Sequence, residues 1–528
     1  MSRKNKVFLI VAVVISVAAL VFSSLMLWTG INGPYQNAKQ NLTQDWPNSV
    51  MYEVFVRSFY DSNGDRIGDF NGLTEKLDYL SDLGVEGIWL MPINPSPSYH
   101  KYDVTDYYAI DPEYGTMDDF KHFLEEAHSR NIKVIMDLVV NHTSVEHPWF
   151  KDALSSKESP YRDWYVWGNE NTNILERGEW NQQVWHGAGD NRYYGLFWQG
   201  MPDLNFDHPE VRKEMTEVAK YWLDLGVDGF RLDAAKHIYS KNENKNVEWW
   251  QEFRKELEAK KPNLFLVGEV WAPASEVAPY LQDGLHSAFN FDLSQKIVDS
   301  AKQEGDSGIV SYLTRIREYY ATKSNDFIDS TFITNHDMDR VMSVLNGDMN
   351  HAKMAASLLF TLPGTPFIYY GEEIGMEGKK PDEQIREPML WYNDPTGTGQ
   401  TKWERARYNI NEKAISVEEQ LAKSDSLYNH YKSMIYLRRS NPVLLSGDIK
   451  SIALREKGII GFKRTLPDQE MVVLHNMTGE DKAFALKKEL VNFTDVLFEN
   501  GLKKIKANNE QLTIQIAPYS TVVIAPNK

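Results

Sequence analysis

Val227-Asp228-Gly229-Phe230-Arg231-Leu232-Asp233-Ala234-Ala235-Lys236-His237 reads as a short buried strand, 227–232, that runs straight into a polar end. Side chains alternate faces along a strand, so Arg231 and Asp233 point the same way. A guanidinium beside a carboxyl group favours its ionised form. That is the state a carboxylate nucleophile needs. A structural Arg–Asp pair at a strand end would look the same, and the rest of the chain has to decide between the two readings.

Outward from this stretch, seven further runs read as strands, at 50–59, 85–91, 132–140, 264–270, 288–291, 331–334 and 365–370. Helical patterns at 73–83, 117–130, 211–225 and 247–258 fall between them. Eight strands alternating with helices predict an α/β fold, a (β/α)8 TIM barrel. The rhythm breaks at 143–204, which is rich in Trp, Asn and Gly and shows no clear period. A segment that long is more than a plain loop, so it predicts a small domain inserted after the third strand. The barrel then occupies 49–142 and 205–441. Alternating runs at 459–464, 471–476, 512–516 and 521–525 predict a C-terminal antiparallel β-sandwich over 442–528.

Residues 1–30 stand apart. Arg3, Lys4 and Lys6 precede an uncharged run, 7–28, long enough to cross a bilayer as a helix. Cleaved signal peptides usually carry an apolar stretch of only ~7–15 residues. The run therefore predicts an uncleaved N-terminal transmembrane anchor with its basic end inside and the remainder exported to the outer face of the membrane. A cleaved signal helix and a secreted product are the alternative. Residues 31–48 read as a linker. With 57 Lys and Arg against 74 Asp and Glu, the net charge of −17 argues against nucleic acid and against anionic lipid beyond that anchor. The absence of cysteine excludes disulfides and a thiolate nucleophile. No feature of the sequence signals an oligomeric state.

Active sites of such barrels gather at the C-terminal strand ends. Beside Arg231-Leu-Asp233, three more ends are polar: Asp137-Leu-Val-Val-Asn141-His142-Thr143, Gly268-Glu269-Val270 and Thr334-Asn335-His336-Asp337. Three carboxylates, two imidazoles and a guanidinium, without a thiol or serine elbow, point to acid/base chemistry at an acetal carbon. Retaining glycosidases pair a nucleophile with an acid/base at roughly 5–5.5 Å. Asp233 fits the nucleophile. Glu269, flanked by Leu266, Val267 and Val270, fits an acid whose proton affinity desolvation raises. Asp337 and the two histidines are placed to hold sugar hydroxyls.

A second pattern concerns metal. Asp61-Ser-Asn63-Gly-Asp65-Arg-Ile67-Gly-Asp69 sets oxygen donors at alternate positions, with the Ile67 carbonyl among them. Hard oxygen donors suit Ca²⁺. The loop is not an EF-hand, because Arg66 replaces the turn glycine and Gly72 stands where the bidentate Glu would be. A simple Asp/Asn/Gly turn has the same composition.

At these residues the chain resembles the α-amylase family of retaining glycoside hydrolases, from about residue 46 to 441 and on into the sandwich. The likeness rests on Asp137-Leu-Val-Val-Asn-His142, Gly229-Phe-Arg-Leu-Asp-Ala-Ala-Lys-His237, Gly268-Glu-Val270 and Phe332-Ile-Thr-Asn-His-Asp337. Gly87-Ile-Trp-Leu-Met-Pro92 agrees. Met201-Pro-Asp-Leu-Asn205 is similar to a group intermediate between oligo-1,6-glucosidases and neopullulanases. The resemblance implies Asp233 as nucleophile, Glu269 as acid/base and Asp337 as transition-state stabiliser. It implies sugar contacts from His142, Arg231 and His336, with Tyr102 stacking beneath the sugar, Asp103 beside it, and Lys236 and His237 further along. The family usually has Gly before this Tyr, whereas here Lys101 stands there. It also implies Ca²⁺ in the 61–69 loop and a second site from Asn141, Asp203 and the His237 carbonyl.

Lys236-His237 is common in members acting on α-1,4 chains, and Ala234 stands where α-1,6 relatives usually have Val. Neopullulanases and cyclomaltodextrinases normally add a β-domain before the barrel, and only the short linker precedes it here. These features predict an endo-acting α-amylase that cuts α-1,4 bonds of starch-like glucans. An exo-acting α-glucosidase or oligo-1,6-glucosidase, a neopullulanase or cyclomaltodextrinase, and a catalytically silent transporter-associated relative are the rival readings.

Overall fold

The computed structural model describes residues 45–527, apart from Lys241, Pro395, 411–414 and Arg455. The expected anchor and most of the linker lie outside the described residues. Among those described, no helix is long and apolar enough to cross a membrane.

Eight parallel strands close a barrel: β1 (Met51–Val54), β2 (Gly87–Leu90), β3 (Lys133–Leu138), β4 (Gly229–Leu232), β5 (Phe265–Gly268), β6 (Ser287–Phe289), β7 (Ile328–Phe332) and β8 (Thr365–Tyr369). Their order is β1-β8-β7-β6-β5-β4-β3-β2, so the first strand pairs with the last. Parallel strands are covered on both faces and therefore read as apolar runs. Met51, Trp89, Ile135, Phe265, Phe289 and Phe367 fill the interior. The alternate positions pack outward against helices such as α1 (Met117–Ser129), α2 (Pro209–Leu225), α3 (Glu243–Lys260), α4 (Met349–Thr361) and α5 (Leu427–Arg439).

Helix α1 shows why these segments are helical. Thr116 accepts the Asp119 N–H, Asp119 returns the bond, and Phe120, Phe123, Leu124 and Ala127 form the buried stripe. Burying each of its two Phe contributes roughly 2 kcal/mol. Inside the barrel the packing leaves no slack at Gly229, where a Cβ would lie 2.1 Å from the Phe265 carbonyl oxygen.

Most barrel strands are a residue or two shorter at their ends than the sequence reading, and three differ more. The first strand stops at Val54, and Val56–Phe59 is a helical turn. Its apolar residues stay buried after the chain leaves the rim, so hydrophobicity carried on past the strand. The sixth strand ends at Phe289, because Asn290 accepts the Leu293 N–H and caps the helix Phe291–Lys302. The seventh begins earlier, at Ile328, and ends at Phe332.

Between β3 and β4 the chain runs through 143–204, where Phe150, Tyr165 and Leu204 pack into the main core. This segment holds a helix, Pro148–Ser155, and a ribbon of Trp185–His186 with Tyr193–Tyr194. Its small core is Val184, Tyr194 and Leu196. Arg162 lies 3.5 Å over the Trp167 ring.

Beyond the barrel are β9 (Asp448–Ser451), β10 (Ile459–Thr465), β11 (Glu470–Asn476), β12 (Lys482–Lys487), β13 (Asp495–Glu499), β14 (Leu502–Ala507), β15 (Gln511–Ile516) and β16 (Ser520–Ala525). They form two antiparallel sheets, β9-β10-β11-β16-β13 and β12-β15-β14. Val472, Leu474, Val522 and Ile524 of the first pack with Leu486, Leu512, Ile514 and Ile516 of the second. The buried guanidinium of Arg464 ties this region to the barrel, and that of Arg438 braces the same junction from within the barrel. Arg438 donates to the Phe360 and Leu362 carbonyls at 3.2 and 2.8 Å, and Arg464 to those of Thr361 and Gly447 at 2.6 and 2.7 Å. They satisfy the orphan carbonyls at the C-terminal end of α4.

Candidate active site

The barrel register brings the expected acids together. Leu232 pairs with Gly268, so Asp233 and Glu269 each stand one residue beyond neighbouring strand ends. The Glu269 N–H donates to the Leu232 carbonyl at 3.0 Å, and the Asp233 N–H to that of Leu138 at 3.2 Å. Arg231, on the preceding inward position, donates to Asp233 and Asp137 through Nη1 at 2.7 and 2.8 Å. Its Nη2 donates to Glu269 at 2.7 Å. One planar fork therefore holds both proposed acids. Ala234 follows in a left-handed conformation, φ 48, and its N–H reaches Glu269 Oε2 at 3.2 Å.

Asp337 lies on the same rim, bonded to Arg386 Nη2 at 2.9 Å and to His336 Nε2 at 3.1 Å. His336 also donates through Nδ1 to Glu53 of β1. Burial disfavours its charge, but Asp337 and Glu53 outweigh that and push its pKa up to about 10. His336 Nε2–H then donates to the Tyr102 hydroxyl, 2.7 Å away, which donates to Asp137 Oδ2 at 3.1 Å. The Tyr102 and His336 rings stack at 5.7 Å. His142 is held neutral by burial, its pKa lowered to about 4, and its Nε2 donates to the Tyr102 carbonyl at 3.2 Å.

Here the electrostatics correct one expectation. Arg231 does not hold Asp233 at an ordinary carboxylate value; burial pushes that carboxyl up against the pull of Arg231. The cause is sharing. Three cations, Arg231, His336 and Arg386, face five carboxylates, Asp137, Asp233, Glu269, Asp337 and Glu53. Protons must sit on the acids that tolerate them best. Burial raises Asp137 to about 7 and also raises Glu269, whereas Asp337, despite burial, is drawn well below the usual range by His336 and Arg386. The site thus holds a protonatable acid, Glu269, near an acid that stays ionised, Asp337.

The other expected sugar contacts differ in position. Lys236 Nζ donates to Glu179 at 2.9 Å and to the Trp271 carbonyl at 3.2 Å, at the mouth of a cleft lined also by Trp180, Phe197 and His237. Asp103 is buried and accepts from the hydroxyls of Ser96 and Ser98, so it braces the loop that carries Tyr102. Sequence reasoning missed Glu53 and Arg386. An acid inside the apolar run Met51-Tyr-Glu-Val54 was a usable signal for the first. Arg386 sits in an irregular segment after β8, where no period marks it.

For metal, the 61–69 loop is a chain of Asx turns. Asp61 accepts the N–H groups of Asn63, Gly64 and Arg66, Asn63 accepts that of Asp65, and Asp65 that of Ile67. Asp69 caps the helix Phe70–Glu75 and binds Ser62. The donors are all hard oxygens with lone pairs to spare, although among the described residues no three His, Cys, Asp or Glu side chains gather into a ready cage. At the second location, Asp203 is buried, with its pKa raised by that burial to about 7; Asn141 and the Leu196 N–H bond to it. No ion pair among the described residues reaches it, and His237 lines the same cavity. A buried carboxylate lacking a cation is a fit for one.

Comparison with known proteins agrees with this geometry. The model "Alpha amylase, catalytic domain" matches residues 53–447. The chain belongs to the alpha-amylase family. Within that family, residues 459–523 match "Alpha-amylase SusG C-terminal domain". The chain is 47% identical to "Alpha-amylase 3" of Dictyoglomus thermophilum over 480 residues, covering 91% of this chain and 93% of the relative. It is 38% identical to a 4-alpha-glucanotransferase of Thermotoga neapolitana, covering 82% and 97%. Among solved structures, an alpha-amylase from H. orenii superposes with a TM-score of 0.85 at 46% identity, covering 91% of this chain and 99% of that one. As a member of this family the protein is an enzyme of glycosidic bonds.

Proposed function

We propose that the protein is an endo-acting α-amylase that hydrolyses α-1,4 bonds of starch-like glucans with retention of configuration. The observation that carries this reading is the single guanidinium of Arg231 holding Asp233 and Glu269 side by side. Asp233 attacks the anomeric carbon while Glu269 protonates the departing oxygen, giving a glycosyl-enzyme. Glu269 then draws a proton from water, which releases the sugar. Asp337, ionised beside His336 and Arg386, stabilises the positive charge that grows on the ring. The N-terminal run 7–28 supports an extracytoplasmic site of action. The early products on soluble starch test the reading: long oligosaccharides are expected, and glucane ends trimmed to glucose alone would replace it with an exo-acting α-glucosidase.

Calcium belongs to the same proposal. Asp61, Asn63, Asp65, Asp69 and the Ile67 carbonyl would hold one ion, and Asn141, Asp203 and the His237 carbonyl a second, each acting as a structural brace. Chelation with EDTA is expected to lower the melting temperature by several degrees, and calcium to restore it. An unchanged melt removes calcium from the account.

A further inference from the structure

We propose that Lys101 is a positioning residue that fixes Tyr102 in its place beneath the reacting sugar; the inference rests on the amylase reading of this site. Lys101 adopts φ 66, a left-handed backbone that a side chain bearing Cβ disfavours. Such a conformation persists only where the surroundings hold it. The holding contacts are evident. Lys101 Nζ, only 4% exposed, donates to Asp111 Oδ2 at 2.8 Å and Glu113 Oε2 at 2.7 Å. Glu113 is shared with Arg57 Nη1 at 2.5 Å, and its carboxyl is drawn down by both cations against a burial penalty. The anchoring loop is itself rooted in the barrel, because the Asp111 N–H donates to the Ile93 carbonyl at 2.8 Å, just beyond β2.

What this tether fixes is the next residue. The Tyr102 N–H donates to His100 Nδ1 at 3.1 Å, its carbonyl receives His142 Nε2, and its hydroxyl joins His336 to Asp137. The backbone reversal at 101 sets the direction in which the chain delivers Tyr102 to these contacts. A glycine could adopt this reversal without strain, but could leave it as easily. Lys101 restricts the backbone to one conformation by burying its ammonium against two acids in a neighbouring loop. Those acids would lack a full complement of charge if it moved. The side chain reaches away from the substrate, so it acts through Tyr102 and not by contact.

The test measures kcat and KM on a soluble maltooligosaccharide for Lys101→Met, Lys101→Arg, Lys101→Gly, Tyr102→Ala and the Lys101→Met/Tyr102→Ala pair. Lys101→Met is expected to lower kcat about tenfold or more while KM changes less than about threefold. Lys101→Arg, which keeps both carboxylate contacts, should stay near the parent. In the Tyr102→Ala background Lys101→Met should cost nothing further, because the group it positions is gone. Losses that multiply in the pair, or a raised KM at unchanged kcat, overturn the inference. Should Lys101→Met melt below the assay temperature, Lys101→Gly carries the same comparison, since it removes the tether without forcing a side chain into the left-handed region. A parent enzyme inactive on every α-glucan would sink the amylase reading instead, so the two failures are told apart.

Discussion

Asp233→Asn keeps the fold and lowers kcat on starch by about 10⁴-fold or more, the scale set by removing a covalent nucleophile. The amide is isosteric and can still accept from Arg231 Nη1, so the melting temperature should move little. Asparagine cannot form the glycosyl ester, and the remaining groups provide only orientation and charge. A sharper version uses Asp233→Gly with azide and an aryl α-glucoside. Azide enters on the face the carboxylate occupied and yields the β-glycosyl azide, inverted relative to the substrate. Appreciable starch hydrolysis by Asp233→Asn, or azide product of the α configuration from Asp233→Gly, would remove Asp233 from the nucleophile's role.

Glu269→Ala gives the second large effect, about 10³-fold or more on starch, whose sugar leaving group needs a proton. An aryl α-glucoside with an acidic phenol needs none, so its bond-breaking step should be nearly spared. Azide then rescues turnover from the opposite face and yields the α-glycosyl azide. The pH profile carries a signed prediction too. Burial, with Asp233 and Asp337 nearby, raises Glu269, and Arg231 only partly opposes them. The acid must be protonated to act, so parent activity falls as pH rises through a value above the ordinary ~4.3 of glutamate. That alkaline limb should vanish in Glu269→Ala with the aryl substrate. A limb that persists assigns the proton to another group, Asp137 being the first to examine.

Much of the fold and the acid pair could be read from the chain, for physical reasons. Doubly covered strands announce themselves as apolar runs, and acids that end several such runs are harder to assign to structure together than any one of them alone. Asp233, Glu269 and Asp337 are such acids, and the structure sets all three on one rim. The strand ends near Phe59 and Phe291 were less legible, because burial continues there after the ladder stops. In the sandwich, β9, β12, β13 and β14 escaped the sequence reading, since each buries few of its residues and no apolar run marks it. Pairings between distant segments were the least legible part. Nothing local links Glu53 to His336, or Arg386 to Asp337, and both pairs govern the charge of the site. The same limit applies to Asp233: the sequence sets Arg231 beside it but gives no sign that Asp137 and Glu269 share that cation.

The ladder joining β1 to β8 closes the barrel, pairing Met51 with Phe367 and Glu53 with Tyr369. During synthesis the first strand must therefore wait for the last to leave the ribosome. Until then β1 and β7 are unpaired edges open to intermolecular pairing. Chains terminated before β8 should accumulate as insoluble, inactive material.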